Sequence, residues 1–240
     1  MNTAGRIWIT RAEPGASATT ARVQAIGLDP LTAPLLRVEA LDTRLDLEGV
    51  GAVAFTSMNG VQAFAARSDW RNVPAFAVGE ATAKAARRVG FAAVASADGE
   101  MAALIRLIGQ VKPQGVILHP CGRHRAGDFL GGLRRQGLTG RDVTLYDTPA
   151  VDALPPAAVD ALEQREVAAV LIHSPRAAEI LAGLAIGVDF SETLAFGLSS
   201  HCLRPLKPLG FADLIRAKRP REDALLDALL AALGKGRGRR

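Results

Sequence analysis

Ala75-Phe76-Ala77-Val78-Gly79 returns 120 positions later as Ala195-Phe196-Gly197-Leu198-Ser199, and this repetition decides how the rest of the chain is read. Eleven residues beyond each segment, Gly90-Phe91 meets Gly210-Phe211 at the same offset. Further back, Ala52 to Ser57 (AVAFTS) pairs with Ala169 to Ser174 (AVLIHS) at an offset of 117. Ile7 and the ITR after Trp8 pair with Ile117 and the following LHP, and Gly27-Leu28 with Gly137-Leu138, all at 110. The offset drifts as loop lengths change, while the order of events does not. That is the signature of a tandem duplication of about 110 to 120 residues.

Short apolar runs alternate with amphipathic stretches inside each copy, which predicts parallel strands covered by helices on both faces. Strands are expected near residues 6–10, 32–39, 51–56, 75–78 and 92–95, and in the second copy near 116–119, 142–147, 168–173, 194–198 and 212–215. Helical patterns cover 18–26, 61–66, 82–89, 101–108, 129–136, 158–164, 176–184, 202–209 and 223–233. The expected fold class is α/β, with two similar lobes, each a parallel sheet flanked by helices, joined by a two-stranded linker. The equivalent strands 32–39 and 142–147 are the expected connectors.

Composition narrows the function. With 240 residues and 49% hydrophobic content, the chain is long enough to bury substantial cores. It contains no run of eighteen apolar residues, so no membrane span is expected. The start, Met1 to Arg6, lacks the features of a secretory signal, and only Cys121 and Cys202 are present, without metal-ligand spacing; a cytoplasmic protein with reduced thiols is expected. Of the formal charge of +5, four basic residues fall in the final Gly234 to Arg240, read as a disordered basic tail at 234–240. The remaining charges are scattered, and no nucleic-acid stripe is expected.

Ligands of open parallel sheets sit beyond the carboxyl ends of strands, where helix N-termini present free N–H groups. Those places carry Thr56-Ser57-Met58-Asn59-Gly60 and His173-Ser174-Pro175-Arg176, then Gly79-Glu80-Ala81-Thr82 and Ser199-Ser200-His201-Cys202. Each cluster opens a helix, so capping alone accounts for Ser57 and Ser174 taken singly. Because the duplication relates the four clusters, their donors are expected to converge on one site from both lobes, suited to an anionic ligand.

In order and spacing, Phe55-Thr56-Ser57-Met58-Asn59-Gly60-Val61, then Ala77-Val78-Gly79 with Thr82-Ala83, then Val143 to Thr148, then Ile172-His173-Ser174-Pro175 with Ala178 resemble the successive signatures of the uroporphyrinogen-III synthase family. The resemblance runs from Arg6 to about Leu233. It implies lobes made of residues 1–37 with 150–233 and of residues 38–149, no cofactor and no metal. It implies hydroxymethylbilane as substrate, a linear tetrapyrrole with eight carboxylates, cyclised to uroporphyrinogen III with loss of water, through a spiro intermediate that inverts ring D. Tyr146, the only tyrosine, stands in the family's Tyr-x-Thr motif and is the candidate acid for the departing hydroxyl, its plainer role being hinge packing. Arg11, Thr56, Ser57, Asn59, Gly79, Thr82, Arg123, Ser174, Ser199 and Ser200 are the candidate substrate-binding residues. Arg11 would otherwise be a surface ion pair, and Arg125 is read as a solvated surface residue. Cys202 stands where the family often has a hydroxyl, Pro220 is followed by Arg221 rather than Thr or Ser, and Thr10-Arg11 by Ala12-Glu13-Pro14.

The reaction asks the enzyme mainly to dictate conformation, and no catalytic triad or carboxylate dyad is visible in the sequence. A monomer is expected, as no long exposed apolar helix is indicated. The competing reading is a non-catalytic two-lobed binding protein for an acidic ligand. A nucleotide-dependent enzyme would need a phosphate fingerprint, and neither GxGxxG nor GxxxxGK[ST] occurs at a strand-to-helix turn.

Overall fold

The computed structural model describes residues 5–97, 99–125 and 127–236, the last two by backbone alone. The first copy forms β1 (Arg6–Ile9), α1 (Gly15–Ala25), β2 (Pro30–Thr32), β3 (Glu39–Ala40), β4 (Val50–Phe55), α2 (Met58–Ala65), β5 (Ala75–Ala77), α3 (Glu80–Arg88), β6 (Val94–Ser96) and α4 (Met101–Val111). The second forms β7 (Val116–Gly122), α5 (Phe129–Arg135), β8 (Gly140–Asp147), α6 (Pro156–Glu163), β9 (Val167–Ile172), α7 (Pro175–Leu184), β10 (Leu194–Gly197), α8 (Ser200–Leu203), a 3-10 turn (Arg204–Leu209), β11 (Asp213–Arg216) and α9 (Glu222–Gly236).

The copies do not fold separately. One sheet has the order β2-β1-β9-β10-β11, all parallel. The other runs β3-β8-β7-β4-β5-β6 and is parallel except for β3, which lies antiparallel to β8. Apart from β3, each sheet thus takes two strands from one copy and three from the other. The chain divides into two compact units accordingly, Met1–Arg37 with Pro149–Arg240, and Val38–Thr148.

Strand alternation explains both cores. In β1, Ile7 and Ile9 pack on one face of the sheet with Leu171, Phe196 and Leu225, while Trp8 packs on the other with Leu35, Val170 and Leu181. In β4, Ala52 and Ala54 join Leu104 and Ile108, while Val53 and Phe55 join Phe64 and Phe91. Strands buried on both faces read as continuous apolar runs, which is why they stand out in the sequence. The indole Nε1 of Trp8 donates to Ala33 O at 2.7 Å, so this buried ring leaves no polar group unpaired.

Three expectations are corrected. The strand expected at 32–39 is broken: β2 ends at Thr32, Leu36 makes an isolated antiparallel bridge to Ala150, and β3 begins at Glu39. Pro34 has no N–H to give a ladder, and the chain changes pairing partner around it. The helix expected at 202–209 stops at Leu203 and continues as a 3-10 turn, because Pro205 and Pro208 remove the donors of an α-helix; Gly210, at φ 70°, closes it. Residues 234–236, expected as the start of a disordered tail, are helical, since α9 continues to Gly236 behind the helix-favouring Ala231-Ala232-Leu233; residues 237–240 lie outside the described residues.

Candidate active site

The unit Val38–Thr148 carries a cavity of about 520 Å³ at the carboxyl ends of β4, β7 and β8, lined by Thr56, Ser57, His119, Cys121, Asp142 and Tyr146 among others. Ser57 follows β4 with an extended backbone and caps α2, its Oγ accepting from Gly60 N at 3.0 Å. Two glycines let the pieces close up. A Cβ on Gly60 would lie 2.6 Å from Pro120 O, and one on Gly122 would lie 2.7 Å from Cε2 of Tyr146.

Tyr146 is 8% exposed, and its hydroxyl lies 2.9 Å from Ser57 Oγ. Burial pushes the phenol above its ordinary value, against the opposing hydrogen bond of Ser57, so it stays protonated and able to donate. The Cys121 thiol is likewise pushed up, by burial first and then by the charge of Asp142.

A hydrogen-bonded chain that sequence reasoning missed lies beside this pair. Thr56 Oγ1 is 3.0 Å from His119 Nε2, and His119 Nδ1 is 2.8 Å from Asp142 Oδ1. Arg125 holds the second oxygen of Asp142, so this arginine is not simply solvated. Burial opposes the Asp142 carboxylate, but the hydrogen bond and charge of His119 and the guanidinium of Arg125 outweigh it and set the group below the usual range. In the tautomer that donates Nδ1–H to Asp142, Nε2 is the atom that accepts from Thr56. The sequence, in which no triad is visible, gives no notice of this chain. The available signal was a histidine inside a strand otherwise buried on both faces, followed two residues later by Cys121 on the same side.

Ligand atoms of His119, Cys121 and Asp142 lie within 4.8 Å of one another. His119 Nδ1 and both oxygens of Asp142 already take part in contacts with each other and with Arg125.

The remaining candidates in this unit sit as follows. Asn59 is half-buried in the first turn of α2. Gly79 is the N-cap of α3, with open space where a Cβ would stand, so its neighbourhood offers backbone N–H groups. Thr82 is 5% exposed on the inner face of α3 beside Ala83 and Ala86. Arg123 is an exposed residue whose Nε pairs with Asp147 at 3.1 Å.

In the unit Met1–Arg37 with Pro149–Arg240, the carboxyl ends of β1 and β9 hold a different cluster. Arg11 lies 3.7 Å from Glu222 and 3.4 Å from Thr19, Arg22 meets Glu222 at 3.2 Å, and Thr19 also bonds Glu222. Arg11 is thus engaged in an intramolecular pair, the plainer of the two roles read for it. Burial disfavours the Glu222 carboxylate, but contacts with His173 and Thr19 and the charge of Arg11 hold it at about 2. Burial also lowers Arg11 and His173. Ser174 caps α7, accepting from Ala177 N at 3.1 Å, and Ser199 caps α8, accepting from Cys202 N at 3.4 Å. Ser200 is exposed at the first position of α8. A larger cavity of about 680 Å³ in this unit lies at the opposite, amino ends of the strands, by Gly5, Val167 and Thr193. Among the described residues no helix N-terminus with a capping hydroxyl borders it.

Residues 17–227 match the family model described as Uroporphyrinogen-III synthase HemD. Among solved structures, the chain is similar to uroporphyrinogen-III synthetase from Helicobacter pylori 26695, at 18% identity and a TM-score of 0.67, over 95% of this chain and 99% of that one. It is also similar to a mutant uroporphyrinogen III synthase from the extreme thermophile Thermus thermophilus, at 19% identity and a TM-score of 0.51, over 97% and 100%. At these identities the likeness is one of fold. No curated relative matches it.

Proposed function

The chain belongs to the uroporphyrinogen-III synthase family of cyclising lyases in porphyrin biosynthesis, and from that premise we propose that the cavity beside Tyr146 is where the terminal hydroxyl of hydroxymethylbilane is lost. The Tyr146–Ser57 pair carries the proposal. A phenol kept protonated by burial, with its oxygen at the cavity wall, can give a proton or hydrogen bond to a departing hydroxyl.

Carboxylates of the substrate would be met by weak, numerous donors rather than by fixed ion pairs. In the unit Val38–Thr148 the N-terminal N–H groups of α2 and α3, with Ser57, Asn59 and Gly79, supply them; Ser174, Ser199 and Ser200 are the corresponding candidates within the other unit. Exposed Arg123 adds a guanidinium, and Arg11 contributes only to the extent that Glu222 releases it. Such a set binds an anion without the full desolvation penalty of buried charge pairs. The enzyme's main task is then to hold one conformation, since the free bilane closes spontaneously without inversion.

We further read the protein as a cytoplasmic monomer. Both cysteines are free and buried, the exposed large apolar residues Val38, Val111, Ile186 and Leu230 are spread along the chain, and no helix among the described residues is long and apolar enough to cross a membrane. No observation favours the non-catalytic binding protein. Incubation of the purified protein with hydroxymethylbilane, followed by separation of ring isomers, tests the reading. Isomer III should exceed the spontaneous isomer I, and isomer I alone would refute it.

A further inference from the structure

Cyclisation of the bilane moves two protons. The hydroxyl takes one as it leaves as water, and the pyrrole carbon that closes the ring sheds one when its ring regains aromaticity. Tyr146 serves the first step. The second needs an acceptor, and the cavity contains one hydroxyl backed by a base. Thr56 is partly exposed at the wall, whereas His119 behind it is 3% exposed and out of direct reach.

The duplication supplies a control within the same chain. His119 and Asp142 are paired residues of β7 and β8; the same register in the other sheet pairs Ile9 of β1 with Thr32 of β2. Ile9 is fully buried in an apolar cluster. The fold therefore builds this strand pair without an ionisable pair, and placing a buried His119 against the partly buried Asp142 has no structural necessity behind it. A buried ion and its partner are costly compared with apolar residues of similar size, so their presence at one sheet only, aimed at the cavity, marks them for chemistry.

We propose that Thr56, His119 and Asp142 form a proton-accepting relay for ring closure: the Thr56 hydroxyl takes the proton shed by the ring-closing carbon while passing its own to His119 Nε2, and Asp142, steadied by Arg125, stabilises the imidazolium through Nδ1–H. No co-reactant is needed, because the proton released here balances the one delivered to the leaving hydroxyl. His119 and Asp142 are positioning residues, since they act through Thr56. The charged and titratable groups around the imidazole are Asp142 from β8, Arg125 and His124 from the segment after β7, Cys121 from β7 itself, Asp128 and Arg134 at α5, and Tyr146. The Phe129 ring of α5 packs 4.6 Å from the imidazole, centroid to centroid, and excludes water on that side.

The relay rests on the cyclising activity proposed above, so the wild-type protein is assayed first; if it makes only isomer I, that reading fails before the relay is tested. Given wild-type isomer III, Thr56→Val, His119→Gln and Asp142→Asn should each lower kcat at least about tenfold with KM within about twofold. Thr56→Ser should restore most of kcat. The decline of wild-type kcat at low pH, where the relay base is already protonated, should be absent from the His119→Gln profile. Combining His119→Gln with Asp142→Asn should add little to either alone, because they act as one unit. A His119→Gln enzyme with wild-type kcat and pH profile would overturn the proposal, as would a Thr56→Val enzyme as active as Thr56→Ser. A fall in kcat matched by a fall in melting temperature, with the pH profile unchanged, would assign the residues a structural role and overturn it equally.

Discussion

Replacing Glu222 by Gln should destabilise the protein at neutral pH and spare it in acid. The carboxylate stands at the first turn of α9, 19% exposed, with Arg11, Arg22, Thr19 and His173 around it. Its folded value of about 2 against an ordinary 4.5 is a shift of about 2.5 units, worth at most about 3.4 kcal/mol at pH 7. The desolvation of Arg11 is the same in both forms and does not offset this loss; with the cluster still partly open to solvent, a net loss of about 1.5 to 3 kcal/mol is expected on neutralising the carboxylate. A carboxyl with a depressed folded value stabilises fully above its unfolded value, and the benefit fades as pH falls through the folded one. At pH 3 no more than about 1.4 kcal/mol of it should remain. Thermal unfolding followed by circular dichroism at pH 7 should show Glu222→Gln melting roughly 5 to 10 °C below wild type, with the gap narrowing steadily from pH 4.5 downward. Equal melting temperatures at pH 7, or a gap that widens in acid, would refute the electrostatic account.

Two further outcomes follow from the geometry of the cavity. Tyr146→Phe removes a hydroxyl whose partner Ser57 keeps its bond to Gly60 N, so stability should fall by only about 1 kcal/mol while the rate of isomer III formation falls about 100-fold; a stable variant of wild-type rate would remove Tyr146 from the chemistry. Gly122→Ala sets a Cβ 2.7 Å from Tyr146 Cε2, so the ring must retreat by roughly 1 Å to reach an ordinary contact of about 3.7 Å, and the rate should drop about 100-fold in an enzyme that keeps every polar side chain of the cavity. Unchanged turnover in Gly122→Ala, measured by the same isomer separation, would show that the position of the phenol is immaterial.

The strands are legible because both cores bury them on two faces, leaving apolar runs such as 52–55 and 169–172 that no helix pattern imitates. The serine caps are legible for a local reason as well: Ser57 and Ser174 bond N–H groups only three residues on. What the sequence hides is of longer range. Thr56 and His119 are 63 residues apart, His119 and Asp142 23, and Thr19 and Glu222 203. No spacing rule joins side chains across such distances, and Asp142 in particular reads as the polar start of a strand. Proline outweighs periodicity at three places. Pro34, Pro205 and Pro208 each lie inside an apolar run whose pattern argues for continuity, and the missing N–H prevails.

Exchange of strands between the copies bears directly on the chemistry. Thr56 and Ser57 come from the end of β4 in the first copy, whereas His119, Asp142 and Tyr146 come from β7 and β8 in the second. Two hydrogen bonds at the cavity, Thr56–His119 and Ser57–Tyr146, therefore join one copy to the other. Had each copy closed on itself, β4 would have lain beside β1, where the residue in the place of His119 is Ile9, and Thr56 would have met no base. The other sheet, built by the same exchange, brings His173 from the second copy against Arg11 and Glu222 instead. Two sheets of one topology were thus free to diverge: one placed an acid and a hydroxyl-linked base beside a cavity, the other locked its carboxyl edge with a low-lying carboxylate. Duplication gave matching frames, and the crossing of strands is what put unlike residues from the two copies within hydrogen-bonding distance.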